Sequence, residues 1–329
     1  MVLNESMSQE HNQVKLIALD WGTSSLRAYL LAGPDKAVDR RHADQGIMHL
    51  PDTGFSGALT ALCGDWLAQY PDVPILAAGM IGSAQGWREA PYVETPANAA
   101  DLASHLVTVD GPLGRTVHIG PGVMSADVLP NVMRGEETQI LGALHLNPWL
   151  IAGGQEQLIL LPGTHSKWVK VRAGRIESFT TFMTGELYAL LCRHSILGRL
   201  MSSDEAPGEA CAAAFERGLT VARDNPRSGV MSTLFSVRTL GLTKQLAPTQ
   251  LAAYLSGVLI GFEIAEAKNI FPDSVSQDAP PLILIGDDAL CARYRTALSV
   301  FGLADRRDGA GDPSQAGLWH LAAAAGLIS

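Results

Sequence analysis

No apolar run in this chain reaches the roughly 18 to 20 residues that a bilayer crossing needs. The most apolar stretch, Leu251 to Phe262, is interrupted by Ser256 and two glycines and closes at Glu263, which reads as a buried helix. The four cysteines, Cys63, Cys192, Cys211 and Cys291, stand far apart without Cys-x-x-Cys or Cys/His metal spacing, which argues against a disulfide framework or a structural zinc site. They read as buried, reduced thiols of a cytoplasmic protein. Positive charge is scarce, 24 Lys and Arg against 33 Asp and Glu for a net charge of −9, so neither nucleic acid nor an anionic membrane is the expected partner. Small solutes remain, and a homo-oligomer stays open. Residues 1–13 carry no apolar signal-peptide core and read as a flexible extension. Also missing are a Walker A loop and a Gly-x-Gly-x-x-Gly fingerprint; the near miss from Gly120 to Ser125 reads as a turn. There is no low-complexity tract, only a Gly/Asp/Pro-rich loop over 308–313.

What is present suits about two domains, given 329 residues. The pattern predicts strands over 16–20, 26–32 and 37–43, then a helix over 55–69 with Leu59, Leu62, Trp66 and Leu67 at helical spacing. A strand near 73–78, a helix near 98–107, a strand over 116–119 and a helix over 136–146 follow. Asn147-Pro148 and the loop over 153–156 mark the boundary, giving lobes of 14–148 and 149–329. The order then repeats: strands near 157–162, 167–172 and 175–182, helices near 185–194, 208–222 and 248–268, a strand over 281–285, and helices near 289–300 and 314–326. The expected class is α/β with a mixed sheet.

A strand-turn-strand unit occurs twice, as Leu16 to Leu30 around Asp20-Trp21-Gly22-Thr23-Ser24-Ser25 and as Leu158 to Val171 around Pro162-Gly163-Thr164-His165-Ser166-Lys167. Such turns expose backbone N–H groups and hydroxyls in a concave nest suited to phosphate oxygens. Asp20, at the end of a buried strand, either caps its own turn or holds Mg²⁺ while Gly22, Thr23 and Ser24 approach phosphates. In the second turn Gly163 permits close approach, Thr164 and Ser166 offer hydroxyls, and His165 or Lys167 supplies positive charge. The joint at Gly286, where a strand breaks into a helix that Asp287 or Asp288 can cap, is a third candidate for nucleotide contact.

Two further segments carry chemistry. In Arg134-Gly135-Glu136-Glu137 the acids either complement a helix dipole or serve a catalytic site. Ala77 to Tyr92 follows a strand and mixes three glycines with Met80, Trp87, Arg88 and Tyr92; Met80, Gly82, Trp87 and Arg88 are expected to face substrate, and Arg88 suits a carboxylate.

The order of hairpin, acidic helix, hairpin, long helix and strand-Gly-helix resembles the actin, hexokinase and heat-shock ATPase superfamily. More closely, the chain resembles the 2-dehydro-3-deoxygalactonokinase family, also called 2-keto-3-deoxygalactonate kinases. The matching stretches are Ala18 to Arg27, Ala78 to Ser83 with Gly86-Trp87, Asn131 to Gln139, Pro162 to Trp168, Met183 to Leu187, Ser256 to Gly261 and Gln315 to Gly317. The resemblance implies two ribonuclease-H-like lobes closing on an interlobe nucleotide cleft, with Gly286 near adenosine. It also implies transfer of the ATP γ-phosphate to the 6-hydroxyl of 2-dehydro-3-deoxy-D-galactonate. Many sugar kinases of that superfamily carry an Asp base near the second hairpin, where this chain has His165-Ser166. The base is therefore sought at Glu136 or Glu137, with Asp20 on Mg²⁺ and Lys167 or Arg134 stabilising the transferred group. Glu186 either contacts substrate or belongs to a helix start capped by Thr184. Competing readings are a kinase for another sugar or sugar acid, a phosphohydrolase, and a non-catalytic nucleotide-binding regulator, although thirteen leading residues are too few for a helix-turn-helix.

Overall fold

A computed structural model describes residues 13–126, 129–152, 154–202, 208–225, 228–276, 279–307 and 312–329. The expected extension, Gln13 apart, lies outside the described residues, as do Gly153 and residues 308–311 of the expected loops. The chain divides into two compact units: Met1–Gln155 with Val171–Ser178 and Asp308–Ser329, and Glu156–Lys170 with Phe179–Arg307.

In the first unit, β1 (Leu16–Trp21) pairs antiparallel with β2 (Leu26–Leu31), which pairs antiparallel with β3 (Ala37–Ala43). On its other side β1 runs parallel to β4 (Ile75–Ala78). The sheet order is β3-β2-β1-β4-β7-β6, with β7 (Thr116–Ile119) parallel to β4 and β6 (Val107–Asp110) antiparallel to β7. A central strand is covered on both faces, so β1 reads as an almost unbroken apolar run. Ile17, Leu19 and Trp21 share one core with Leu59, Cys63, Trp66 and Leu67 of α1 (Gly54–Gln69). The predicted helix over 98–107 is cut to α2 (Ala99–Ala103), started by an Asn98/Asp101 capping box; the β-branched run Val107-Thr108-Val109 pairs with β7 instead.

A small second sheet orders β5 (Tyr92–Glu94), β8 (Gly122–Ser125) and β9 (Asn131–Met133), so the predicted turn from Gly120 to Ser125 is corrected to a strand. Three- and four-residue strands punctuated by Gly and Pro leave too little period to read. From β9 the chain enters α3 (Glu136–Leu146) and α4 (Trp149–Ala152).

The second unit is built on the sheet β12-β11-β10-β13-β14, in which β10 (Gln157–Leu161), β13 (Leu282–Leu284) and β14 (Asp305–Arg307) run parallel. β11 (Ser166–Arg172) and β12 (Arg175–Phe182) follow β10, and residues 171–178 at their junction cluster with the first unit, where Ile176 bridges Ala97. Helices α5 (Thr184–His194), α6 (Glu209–Asp224), α7 (Gly229–Leu234), α8 (Ser236–Leu242), α9 (Leu251–Ile270) and α10 (Asp288–Val300) complete it. α9 is the apolar stretch read as a buried helix, and no described helix is long and apolar enough to cross a membrane. Numbered in chain order, the second sheet runs third, second, first, fourth, fifth strand, the ribonuclease-H-like order, and the first sheet shares its third, second, first, fourth core before ending in the β7-β6 pair.

The last helix, α11 (Pro313–Ala324), returns to the first unit, whereas chain order alone assigns it to the second lobe. It lies against α3 with almost no space between backbones: a Cβ at Gly142 would be 1.9 Å from the Pro313 carbonyl oxygen, and one at Gly317 would be 1.8 Å from that of Thr138. Gly142→Ala should therefore lower unfolding stability by about 1–3 kcal/mol, since overpacking forces the helices apart. Gly64→Ala in α1, where the nearest atom is a flexible Thr60 methyl at 3.5 Å, should instead be neutral or raise stability by about 0.5–1 kcal/mol. Denaturant titration of both variants checks the contrast.

Candidate active site

The candidate side chains fall in both units, and each set is built by its own sheet. In the first unit β1 and β4 are parallel neighbours with Asp20 opposite Ala78, so the turn after β1 and the loop after β4 leave the sheet at the same edge. Loops beyond the carboxyl ends of parallel strands are where α/β proteins place ligands. Gly22 N–H donates to the Ser25 carbonyl (2.9 Å), and the turn is backed by Ile47 and Met48 N–H groups on the Gly22 and Thr23 carbonyls, both at 3.1 Å. Gly46 allows this approach, because a Cβ there would lie 2.3 Å from the Thr23 oxygen. Thr23 and Ser24 are left exposed.

Asp20 lies near the end of β1, just before that turn. Its carboxylate is 23% exposed and faces Arg27 Nη1 across the hairpin at 3.5 Å, with the Ser314 hydroxyl bonded to it and Asp312 nearby. Burial raises its pKa, Arg27 opposes that, and the Asp312 charge adds to the rise. A partly exposed carboxylate beside a second acid and a hydroxyl suits a hard divalent cation that keeps waters and phosphate oxygens as its other ligands. No group of three or more His, Cys, Asp or Glu able to hold a metal occurs among the described residues.

Gly79, at φ 95°, lets the chain turn 2.8 Å from the Trp21 carbonyl, measured to where a Cβ would lie. The loop then folds back on itself through Met80–Gly82, with Trp87 N–H on the Ile81 carbonyl and Ala90 N–H on that of Gly82, both at 2.9 Å. Gly82 is buried and Met80 half-buried at this turn. Trp87 stacks on Phe55 with ring centroids 5.6 Å apart and meets Trp21 edge-on, so its ring is part of the core. Arg88 is exposed and donates to the Thr108 carbonyl at 3.2 Å.

Gly135, at φ 109°, brings the start of α3 onto Gly79, whose Cα would be 3.4 Å from a Cβ there. Glu137 is 1% exposed, and both its oxygens accept from Gly135 N–H at 2.8 and 2.7 Å. Burial pushes its pKa up to about 8, the neighbouring Glu136 charge adding to the rise. Glu136 is half-buried and accepts from Arg134 N–H at 3.1 Å. Arg134 is 8% exposed; its Nη2 donates to the Ala90 carbonyl (2.8 Å) and its guanidinium lies 4.4 Å above the Tyr92 ring.

In the second unit the turn between β10 and β11 exposes Thr164 and His165 but buries Ser166 and Lys167. Ser166 bonds Tyr294 in the core at 3.0 Å, which corrects the expectation that its hydroxyl fronts the turn. Lys167, 3% exposed, donates to the His165 carbonyl at 3.3 Å from beneath. α5 begins against this turn: Glu186 N–H reaches the Thr164 carbonyl at 2.9 Å, and its carboxylate holds His165 Nε2 at 2.5 Å. Thr184 makes no cap; its hydroxyl bonds Glu263. Gly286, at φ 150°, sits at the end of β13 with a Cβ position 3.4 Å from the Pro162 carbonyl, and Asp287 caps α10 through Leu290 N–H.

Behind the second turn lies Glu263, which the sequence reading missed. Trp168 Nε1 donates to one oxygen (2.8 Å), Tyr294 to the other (2.7 Å), and Ser166 and Thr184 also bond it. Burial raises its pKa against these donors. Partners 31 to 97 residues away give no local signal. Ser314 and Asp312, nearly 300 residues from Asp20, were missed for the same reason.

Two ribonuclease-H-like sheets, each passing from its first to its second strand through an exposed Gly-Thr turn, define the actin-like ATPase and sugar-kinase class. A family model described as 2-keto-3-deoxy-galactonokinase matches residues 20–321. The chain is 39% identical over 305 residues to a Rhizobium meliloti (strain 1021) protein named "Probable 2-dehydro-3-deoxygalactonokinase DgoK1", covering 92% of this chain and 94% of that one. It is 36% identical over 310 residues to the Escherichia coli (strain K12) 2-dehydro-3-deoxygalactonokinase, covering 94% and 97%. A solved structure from Sinorhizobium meliloti, described as a 2-dehydro-3-deoxygalactonokinase protein, superposes with a TM-score of 0.80 at 38% identity over 94% of this chain and 98% of that one. The chain belongs to the 2-keto-3-deoxy-galactonokinase family, as its motifs led us to expect.

Two outcomes test these environments. Glu137 has a folded-state pKa raised to about 8 from 4.5, so it contributes stability below about pH 4.5 that is lost as pH rises through 8. The unfolding midpoint should fall between pH 5 and pH 9 in the wild type and fall less in Glu137→Gln, as thermal melts across that range will show. Glu263→Ala should cost about 2–5 kcal/mol in denaturant unfolding, since it strands the Trp168 and Tyr294 donors in the core. Glu263→Gln, which keeps one acceptor, should cost less.

Proposed function

We propose that this protein transfers the γ-phosphate of ATP to the 6-hydroxyl of 2-dehydro-3-deoxy-D-galactonate, in the cytoplasm, with Mg²⁺ as cofactor. The observation that carries the reading is the convergence, at one sheet edge of the first unit, of Asp20, the Gly22-Thr23-Ser24 turn, Gly79 and the Gly135-Glu136-Glu137 helix start. Family membership supports the substrate.

Asp20, with Asp312 beside it, would hold Mg²⁺, which supplies neutralisation of phosphate charge. The exposed turn at Gly22 to Ser24 and, in the second unit by itself, that at Gly163 to His165 each offer N–H groups and hydroxyls suited to phosphate oxygens. His165, steadied by Glu186, presents its imidazole there, and Lys167 adds positive charge from below the turn. Beside that turn a cavity of about 120 Å³, lined by Gly163, Gly185, Tyr188, Ser256, Leu290 and Arg293, suits the nucleoside next to the Gly286 joint. Glu136, on the accessible side of the first turn of α3, accepts the hydroxyl proton, while Glu137 locks the Gly135 turn. Phosphoryl transfer is mostly positioning and charge neutralisation, so the base contributes modestly.

A coupled ATP assay over 2-keto-3-deoxy sugar acids and neutral sugars tests this. The expected result is metal-dependent turnover of 2-dehydro-3-deoxy-D-galactonate that Asp20→Ala lowers by about 100-fold or more, the scale of losing one electrostatic group in a site. Phosphorylation of neutral sugars alone, or an Asp20→Ala variant as active as wild type, would overturn the reading.

A further inference from the structure

Arg134 is nine-tenths buried, yet its Nε and Nη1 N–H groups have no acceptor among the described residues. A second side chain close by is in the same condition: Ser83, 8% exposed, has a buried Oγ with no partner. The two are neighbours through Gly82, since Nη1 of Arg134 would be 2.9 Å from a Cβ at that residue. Buried polar groups in native proteins are nearly always paired, and a guanidinium is among the costliest to leave unmatched. Two such orphans at one glycine point to a missing acceptor.

The side chain is also held ready. Nη2 is fixed by the Ala90 carbonyl, and the guanidinium plane rests on Tyr92. Tyr92 can lie there because Gly122 has no side chain: a Cβ would stand 2.6 Å from the ring. Gly82, in turn, lets Nη1 approach closely, because a Cβ there would be 2.9 Å from it. Every neighbour of the guanidinium named here, Gly82, Ala90 and Tyr92, belongs to the loop after β4 or its continuation into β5, and none to the phosphate-type turn at Gly22 to Ser24. Arg88, the residue expected to take a carboxylate, is exposed and engaged with a carbonyl.

We infer that Arg134, together with the Ser83 hydroxyl, is the anchor for the carboxylate of the sugar-acid substrate, and so the residue that separates sugar acids from neutral sugars. This rests on the kinase reading above. A carboxylate supplies one oxygen to an idle Nη1 N–H and the other to the Ser83 hydroxyl, and Arg binds such groups with directional specificity that Lys cannot match. Because the anchor would be in place before phosphate moves, its loss weakens binding of the acid more than it slows transfer.

The test compares wild type and Arg134→Lys on the sugar acid and on the same compound with its carboxylate converted to the primary amide. Arg134→Lys should raise KM for the acid by about 100-fold, while KM for the amide and for ATP stays within about threefold, so that discrimination collapses. Equal losses on acid and amide, or a fall in kcat at unchanged KM, would overturn the inference, the second outcome assigning Arg134 to the transferring phosphoryl group. Pyruvate, a minimal 2-keto acid, provides an arm that does not depend on turnover or on how the variant folds. It should bind wild type by calorimetry and compete with the sugar acid but not with ATP; absence of binding at tens of millimolar defeats the anchor. Wild-type protein that phosphorylates no 2-keto-3-deoxy acid would defeat the kinase reading instead, and pyruvate binding to the wild type would still stand or fall by itself.

Discussion

Where α3 meets α11, the Gly142 and Gly317 positions would put a Cβ within 2 Å of a carbonyl oxygen on the opposite helix, so the two helices pack as bare backbone on bare backbone. That contact carries both ends of the first unit's site. α3 begins with the Gly135-Glu136-Glu137 turn, and α11 begins with Asp312 and Ser314 beside Asp20. The second unit repeats the device with α6 and α9, where Gly257 would clash with the Phe215 carbonyl at 2.1 Å and Gly218 with that of Tyr254 at 2.4 Å. α9 in turn carries Glu263. Close helix approach is thus how each unit delivers an acid to its sheet.

Those two acids are both buried and both raised in pKa, but their surroundings differ in kind. Glu263 is surrounded by donors from β11, α5 and α10, so it ties three elements behind the second turn. Nothing about it invites a change of state. Glu137 accepts only from its own turn, the Gly135 and Glu137 N–H groups and the Thr138 hydroxyl, and has a like charge next door in Glu136 that strains its ionised form. The first is a fastener; the second is coupled to the charge of the site.

The strands and long helices were legible because their apolar periods are long and their ends are marked: β1, β2, α1, α3, β10 and α9 all fall within a few residues of the pattern. The β5-β8-β9 sheet was not, since its strands are too short for a period and one begins at Gly122. Helices α7 and α8 were missed as well, and α11 was assigned to the second lobe because its contacts with α3, β1 and β4, all remote in sequence, are what bring it back. The site follows the same division. Asp20, Gly22 and Gly163 sit on local turns whose chemistry is written in adjacent residues, whereas Ser314 and Glu263 take their environments from partners remote in sequence.

Arg88 and Arg134 make the division concrete. By composition the loop after β4 contains one arginine, and a reader of sequence gives it the substrate's charge. The fold gives that loop a second arginine from outside it. β9 pairs with β8, β8 pairs with β5, and this register sets Arg134 over Tyr92 with its guanidinium against Gly82. The exposed arginine spends its donor on a carbonyl of β6, while the buried one keeps donors idle in a place where idleness is costly. Burial without partners is therefore the better marker of a ligand than accessibility with charge, and it could not be read before the small sheet was known.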